Sequence, residues 1–171
     1  MVFRRAISAD TGAIMNIMED ARRFMAQNGV VQWVNGYPSR KIVAGDIEAG
    51  DCYVMEDGGG VCACATVLAD GEPSYARIYD GAWLTGKNER YLTMHRVAVA
   101  ERVRGTGVAP AMVDEVKARA RREGYASIRI DTHRDNLAMQ RMLAKTGFEY
   151  CGVILLANDG SERIAFEWPA G

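Results

Sequence analysis

The strongest constraint on the fold is a glycine-bearing loop between an apolar strand and an amphipathic helix. Residues 97–99 are Val-Ala-Val, and residues 104–109 are Arg-Gly-Thr-Gly-Val-Ala, followed by apolar residues at helical spacing. The two glycines let the backbone approach a ligand closely and turn several N–H groups toward one point. Those amides and the positive end of the helix favour a bound pyrophosphate. An ordinary strand–helix turn with solvated arginines accounts for the same residues equally well.

Two other glycine-containing segments fail as nucleotide motifs. Residues 81–88 nearly match the P-loop, but Asn88 stands where a Ser or Thr would bind magnesium, and a predicted strand follows instead of a helix. Residues 105–110 depart from the dinucleotide-binding fingerprint because Pro110 takes the place of the third glycine. Neither segment supports a P-loop or a Rossmann fold.

Hydrophobic periodicity and turn residues predict an alternation of strands and helices. The predicted strands cover residues 2–6, 52–55, 61–68, 91–100, 126–132, 148–155 and 163–168, and the predicted helices begin near Ser8, Pro38, Gly107 and Asn136. Pro38 suits a first helical turn, and either Asp135 or Asn136 can cap the last helix, which we expect to be the main role of Asp135. The order β-α-α-β-β-β-α-β-α-β-β indicates a mixed α/β fold in which residues 1–171 form a single domain.

Two connections stand out between these elements. Glycine-rich residues 57–60 predict a hairpin turn. The connection over residues 70–89 is long and glycine-punctuated, and its aromatic residues favour an ordered, functional segment over a disordered one.

Composition excludes several classes of function. The chain has 171 residues, with 21 Lys or Arg against 22 Asp or Glu, so its formal net charge is −1. This balance argues against nucleic acid or an acidic membrane as a partner. Two histidines and no Cys-x-x-Cys pair argue against a metal site. Without an apolar leader or a run of about 18 apolar residues, we expect a cytoplasmic protein whose cysteines are free thiols.

The sequence resembles the GNAT superfamily of N-acetyltransferases. Arg104-x-x-Gly107-x-Ala109 matches its R/Q-x-x-G-x-G/A signature, and residues 136–148 match N-x-x-A-x-x-l-Y-x-x-x-G-F at Asn136, Gly147 and Phe148. The resemblance implies a mixed sheet in which the fourth and fifth strands splay apart. It also implies an enzyme that transfers an acetyl group from acetyl-CoA directly to a primary amine.

The resemblance carries cofactor-binding roles onto particular residues. Backbone groups of Val97 and Val99 would bind the pantetheine arm, the loop of residues 104–109 would hold the pyrophosphate, and Asn136 would contact pantetheine from the opposite side. The full set expected to bind acetyl-CoA is Val97, Ala98, Val99, Arg102, Arg104, Gly105, Thr106, Gly107, Val108, Ala109, Asn136 and Met139.

Acetyl transfer needs a base for the acceptor ammonium and a proton for the departing thiolate. His95 is the candidate base: strand alternation puts it on the face of Val97, and an ordinary imidazole titrates near pH 6.5. A histidine at this position is part of the base relay in the arylalkylamine branch of the superfamily. A hydrogen-bonded histidine on a half-buried strand is the alternative. No covalent intermediate is required, so Cys62, Cys64 and Cys151 are interpreted as small core residues.

The candidate acid is missing at the expected place. Many family members have a tyrosine where this chain has Leu143, which cannot donate a proton. Tyr150, His133 or water could replace it, and spacing favours none of them. A thiolate is also a tolerable leaving group near neutral pH.

Aromatic residues indicate where the acceptor binds. The residues expected to shape its pocket are Trp33, Tyr37, Tyr79 and Trp83. Together they favour a small-molecule amine, although each alone is explained by loop packing. Asp80 and Glu89 are candidates for recognising the amine. A protein Lys or N-terminal acetyltransferase and a non-catalytic CoA-binding module stay open, and the resemblance suggests a homodimer.

Overall fold

The computed structural model describes residues 1–69 and 71–171, so Asp70, the first residue of the predicted 70–89 connection, lies outside the described residues. Within the described part of the chain, the predicted order of strands and helices is confirmed. The strands are β1 (Val2–Arg5), β2 (Cys52–Asp57), β3 (Gly60–Leu68), β4 (Tyr91–Val99), β5 (Ser127–Thr132), β6 (Glu149–Leu155) and β7 (Glu162–Pro169), and the helices are α1 (Thr11–Gln27), α2 (Arg40–Glu48), α3 (Val108–Arg122) and α4 (Leu137–Lys145).

The strands form a mixed sheet in the order β1-β2-β3-β4-β5-β7-β6. Strands β4 and β5 are parallel, whereas β1–β2, β2–β3, β5–β7 and β6–β7 are antiparallel. This arrangement confirms the predicted mixed α/β class. The insertion of β7 between β5 and β6 is not predicted, because strand order depends on contacts between residues distant in the chain.

The chain is organised in two compact units. The first consists of residues 1–67 and 96–113, and the second of residues 68–95 and 114–171. In the first unit, Ile14 and Ile17 of α1 belong to one buried cluster with Val43 of α2 and Val54 of β2. Their helical spacing gives α1 a continuous apolar face, as the periodicity predicts.

Two helix starts differ from the prediction. Helix α2 begins at Arg40 and is capped by Ser39, whose Oγ accepts a hydrogen bond from the Ile42 amide at 3.3 Å, so Pro38 precedes the helix. At α4 the cap is Asn136, whose Oδ1 accepts a bond from the Met139 amide at 3.1 Å. Of the two predicted candidates, Asn136 is therefore the cap, and the expectation that capping is the main role of Asp135 is wrong. An Asn side chain one residue closer to the helix satisfies the free amide instead.

In the second unit, residues 71–89 pack onto β6 through their backbone. The amide and carbonyl of Tyr79 form two 2.8 Å hydrogen bonds with Val153. Gly81 lies so close to β6 that a Cβ there would stand 1.9 Å from the carbonyl oxygen of Cys151. Strand β6 has a bulge at this point, between Tyr150 and Gly152. The segment is thus ordered by specific contacts, as its aromatic content predicts.

A buried ion pair fixes the same segment from the other side. Glu167 of β7 is fully buried and accepts hydrogen bonds from Arg129 Nε at 2.8 Å, Ser127 Oγ at 2.5 Å and Thr85 Oγ1 at 2.6 Å. Burial by itself would raise the pKa of Glu167, but these hydrogen bonds lower it below its usual range. The Arg129 guanidinium also stacks at 4.4 Å on the ring of Trp83. Charge and aromatic contacts together hold residues 83–85 against β5 and β7.

Candidate active site

The candidate site begins where β4 and β5 stop pairing. The two strands are in register at Tyr91↔Ser127, Leu92↔Ile128 and Thr93↔Arg129. Strand β4 then continues to Val99, and no later residue of it pairs with β5 in the described part of the chain. The end of this pairing after Thr93 fits the predicted splaying of the central strands. It leaves backbone groups of β4 without partners on β5, at the residues that follow the pairing.

An irregular residue interrupts β4 just beyond this point. Arg96 has a φ of 51°, in the left-handed region that an arginine rarely adopts. Its guanidinium is held by both oxygens of Asp46, at 2.9 Å each, and by the hydroxyl of Tyr37 at 2.9 Å. Side chains alternate across a strand only where the backbone stays extended. Alternation through Arg96 therefore does not define the face of Val97 relative to His95, and the position of His95 rests on its own contacts.

His95 is bound by a carboxylate from the 71–89 segment. Its Nε2 lies 3.0 Å from Oε2 of Glu72. The hydrogen bond from His95 is the main cause that lowers the pKa of Glu72 to about 2, with a further contribution from the Ser74 amide and against the effect of burial. Glu72 is thus a carboxylate at neutral pH and accepts the Nε2 proton. In the neutral imidazole this leaves Nδ1 with the free lone pair.

Asp131 of β5 faces this second ring nitrogen. Arg129 pairs with Thr93, and Asp131 and His95 are each two residues further along their strands on the same face. Accordingly, Oδ1 of Asp131 lies 4.0 Å from His95 Nδ1. The hydroxyl of Tyr75 donates to the same Oδ1 at 2.6 Å. Burial, and then the charge of Asp131, raises the pKa of Tyr75 well above its usual value, so this phenol stays protonated and remains a donor.

These contacts form one cluster, which we call the His95 cluster: His95, Glu72, Tyr75 and Asp131. A base that accepts a proton here becomes an imidazolium between two carboxylates, which stabilise its charge. Sequence patterns identify His95 but not Glu72, Tyr75 or Asp131. Glu72 and Tyr75 lie in a connection without periodicity. The signal for Asp131 is its charge inside the apolar strand 126–132, a signal that Arg129 shares.

The glycine-bearing loop lies in the first unit and presents unpartnered amides. Gly105 and Gly107 have φ values of 81° and 94°, and a Cβ on either would meet open space. The backbone N–H groups of Gly105, Gly107, Val108 and Ala109 donate to no acceptor in residues 1–69 and 71–171. Pro110 has no N–H to satisfy. Several donors at the start of α3 are thus available to an anion.

The two arginines of this loop are engaged elsewhere in the first unit. Arg102 donates to both oxygens of Asp57 at 2.8 and 2.9 Å. This contact, with the Gly59 amide, lowers the pKa of Asp57 to about 2. The Arg104 guanidinium lies 4.3 Å from the ring centre of Phe24. Neither side chain is the free cation that the sequence suggests, so the open amides are the more direct anion ligands.

The other residues expected at the cofactor have varied surroundings. Ala98 and Val108 are buried, Val97 and Val99 are half-buried, and the Thr106 hydroxyl donates to the carbonyl of Val103 at 2.7 Å. In the second unit, Asn136 and Met139 take part in the cap of α4.

The candidate acids do not form a site. Leu143 is fully buried, and Tyr150 is 54% exposed with its ring against Phe166. His133 Nδ1 accepts a hydrogen bond from the Asp135 amide at 3.2 Å, which fits the turn role.

The four aromatic residues expected at the acceptor are all engaged in packing or hydrogen bonds. In the first unit, Trp33 packs against the buried cluster and Tyr37 binds Arg96. In the second, Tyr79 is held by its backbone, and Trp83 Nε1 donates to the carbonyl of Tyr75 at 3.1 Å. Trp83 thereby supports the residue that binds Asp131.

The cysteines lack the character of nucleophiles. All four are free and buried. Burial raises the pKa of Cys52 to about 12 and that of Cys151 to about 11, and also raises the pKa of Cys62 and Cys64. Because the thiolate is the reactive form, these thiols are inert near neutral pH.

Metal clusters and membrane-spanning helices are both missing from residues 1–69 and 71–171. No three His, Cys, Asp or Glu side chains there are grouped to hold a metal ion. No helix in those residues is long and apolar enough to cross a membrane.

Comparison with known proteins relates this architecture to a family. An acetyltransferase of the GNAT family from Streptococcus agalactiae 2603 is 35% identical, over 98% of this chain and 94% of its own, with a TM-score of 0.88. Ribosomal-protein-alanine N-acetyltransferase from Brucella melitensis is 18% identical over 99% of each chain, with a TM-score of 0.70. Phosphinothricin acetyltransferase from Sinorhizobium meliloti, solved with AcCoA, is 19% identical over 99% of this chain and 88% of its own, with a TM-score of 0.69.

The proteins from Brucella melitensis and Sinorhizobium meliloti share the fold at low sequence identity. No curated protein matches the sequence. A model of the acetyltransferase (GNAT) family matches residues 16–148, well over half of the chain. Together with the 35% identical relative, this match shows that the chain belongs to the GNAT family of acetyltransferases.

Proposed function

We propose that residues 1–171 form one transferase domain that moves an acetyl group from acetyl-CoA to the primary amine of a small molecule, with His95 as the base. The observation that carries the proposal is the end of β4–β5 pairing at Thr93, two residues before a histidine that is hydrogen-bonded to a carboxylate. The residues of β4 that follow the last pair can offer strand backbone to an extended ligand. The histidine supplies the proton acceptor that amine acetylation requires.

The residues present fit acetyl-CoA, which supplies the activated acetyl thioester. The four open amides at Gly105, Gly107, Val108 and Ala109 suit the pyrophosphate, because backbone N–H groups at a helix start bind phosphate oxygens. The backbone of Val97 and Val99, on the part of β4 that follows its last pair with β5, would pair with the pantetheine arm. The relative from Sinorhizobium meliloti was solved with AcCoA, which supports the same donor here.

His95 would take the proton of the acceptor ammonium on Nδ1. Its Nε2 proton is held by Glu72, so the ring presents the lone pair of the other nitrogen. The imidazolium that forms lies beside two carboxylates, Glu72 and Asp131, and their charges stabilise it. We assign the thiolate's proton to water, since Leu143 has none to give and Tyr150 faces solvent.

A small acceptor is favoured by the state of the β6 edge. An extended peptide could add to that edge as a strand. Tyr79 already bonds to Val153 at the edge, and Gly81 lies against Gly152. The central part of β6 is therefore occupied by the protein's own chain.

The proposal also includes a homodimer located in the cytoplasm. Light scattering would test the dimer, and cell fractionation would test the location.

Two assays test the proposal in sequence. Thermal unfolding with acetyl-CoA is expected to show stabilisation, because a ligand of the folded state raises the melting temperature. Thiol release is then measured with small primary amines and with lysine peptides, and only the amines are expected to react. Missing stabilisation would refute the donor, and release with peptides alone would establish a protein acetyltransferase. Stabilisation without release on any acceptor would indicate a CoA-binding module.

Substituting each of the two histidines in turn tests whether His95 is the base. His95→Gln is expected to lower kcat/KM by about 100-fold or more and to flatten the acidic limb of its pH profile. His133→Gln changes the other histidine, in a turn, and is expected to leave the profile unchanged. An unaltered profile in His95→Gln would exclude the base role.

A further inference from the structure

Asp131 differs from most of the other well-buried carboxylates because it has no arginine partner among the described residues. Its side chain is only 9% exposed. Asp10, Asp46 and Glu167 are similarly enclosed, and each binds an arginine. No Lys or Arg lies within ion-pair distance of Asp131 in residues 1–69 and 71–171. A carboxylate removed from water without a cation is costly, so this site lacks a positive partner.

The two oxygens of the Asp131 carboxylate differ in their partners. Oδ1 accepts the Tyr75 hydroxyl at 2.6 Å and faces His95 Nδ1 at 4.0 Å. Oδ2 accepts no hydrogen bond from the described residues, yet it is not among their fully enclosed unpartnered atoms. Oδ2 therefore keeps some solvent-accessible surface. Tyr75 is itself buried and fixed by Trp83, so it holds the carboxylate in one orientation.

We propose that Asp131 binds the ammonium group of the acceptor through Oδ2, directly beside His95, and so selects amines that are cationic at neutral pH. The inference rests on the proposed function and names its acceptor class. An ammonium nitrogen between the two side chains can donate one N–H to Oδ2 and another to His95 Nδ1. Tyr75 acts as a positioning residue for Asp131.

The arrangement also orders the proton transfers. One N–H bond of the ammonium breaks, its proton moves to His95 Nδ1, and the electron pair stays on the nitrogen. That pair attacks the thioester carbonyl, and the C–S bond breaks with its electrons leaving on the CoA thiolate. The second N–H proton is then lost to water as the amide forms. No proton is transferred to Asp131 in this sequence of steps.

NMR of the histidine rings tests ammonium binding at Asp131 without requiring catalytic turnover. The chain has two histidines, so a protein labelled with 15N-histidine gives two sets of ring signals, which His133→Gln assigns. With CoA present, benzylammonium is titrated as a probe, and benzyl alcohol serves as its uncharged counterpart. We expect benzylammonium to shift the His95 signals and benzyl alcohol to leave them unchanged, with the His133 signals constant in both.

Two variants then test whether benzylammonium binding depends on the Asp131 carboxylate. Asp131→Asn is expected to weaken benzylammonium binding by about 10–100-fold, the range for losing a charged hydrogen bond. Tyr75→Phe keeps the charge, and a loss of about 2–10-fold is expected from the freer carboxylate. Wild-type affinity in Asp131→Asn would overturn the proposal. If that variant does not fold, equal responses of the wild type to the two probes, or none to either, would overturn it.

The proposed transferase activity and the proposed role of Asp131 are refuted by different results. Without thiol release from any acceptor, the proposed activity is refuted while ammonium binding at Asp131 can still be observed. With normal thiol release but no selective response to benzylammonium, the transferase stands and the role of Asp131 is refuted.

Discussion

Gly81 is the position where one methyl group should separate the 71–89 segment from β6. A Cβ at Gly81 would lie 1.9 Å from the carbonyl oxygen of Cys151 and 3.2 Å from Cα of Gly152. Both neighbours are backbone atoms, so no side-chain rotation can relieve the overlap. In Gly81→Ala the segment must move away from the strand.

The cost follows from the contacts that this movement breaks. Tyr79, two residues away, forms two 2.8 Å backbone hydrogen bonds with Val153. At about 1 kcal/mol each, their loss destabilises the fold by about 2 kcal/mol. For a chain of this size that corresponds to a fall in melting temperature of about 4–8 °C. Because the segment also carries Glu72, the partner of His95, kcat/KM should fall as well.

Gly86→Ala is the matched control. It makes the same substitution in the same segment, but its Cβ would meet only the flexible Glu89 side chain, at 3.3 Å from Cγ. We expect its stability to stay within about 0.5 kcal/mol of the wild type. Thermal and urea unfolding of both variants, with thiol-release kinetics, provide the comparison. Equal melting temperatures for Gly81→Ala and Gly86→Ala would refute the reasoning that backbone contact at β6 holds this segment.

Three further predictions concern stability. The pKa of Glu72 is lowered from its ordinary 4.5 to about 2, so its charge stabilises the fold above pH 4.5 and this contribution disappears as the pH falls toward 2. Glu72→Gln should therefore differ most from the wild type in urea midpoint above pH 4.5, and a constant difference down to pH 2 would contradict the assignment. Glu167→Gln breaks a fully buried ion pair and should cost about 3–5 kcal/mol in urea unfolding, whereas a loss below 1 kcal/mol would show that the remaining hydrogen bonds suffice. Asn136→Ala should cost about 1 kcal/mol through loss of the α4 cap while Asp135→Ala leaves stability unchanged, and the reverse result would return the cap to Asp135.

The elements of the fold were predictable because their signals are local. The apolar face of α1 follows from helical spacing, and the β2–β3 hairpin follows from the glycines between two apolar runs. The starts of α2 and α4 were less accurate. Pro38 suits a first helical turn but precedes the Ser39 cap of α2, and at α4 Asp135 and Asn136 suit the cap almost equally. Strand order was not predictable, because β7 pairs with β5 across about thirty residues of chain.

The candidate site likewise has features that the sequence predicts and features that it does not. The open amides around Gly105 and Gly107 lie in one short loop, and His95 lies two residues after the last β4–β5 pair, so sequence patterns reach both. The partners of His95 come from Glu72 and Asp131, which are 23 and 36 residues away. No spacing rule connects residues at such separations. Arg96 shows the limit of strand alternation, because a single residue with positive φ interrupts it.

The sequence by itself therefore determined the order of elements, the family resemblance, the anion-binding loop and one histidine, because each depends on neighbours along the chain. Only the tertiary structure decided what surrounds that histidine. It brings a carboxylate from the 71–89 segment to Nε2 and another from β5 toward Nδ1, and among the described residues it places no Lys or Arg within ion-pair distance of Asp131. The physical reason is that charge and proton transfer act through space over a few ångströms, whatever the separation along the chain.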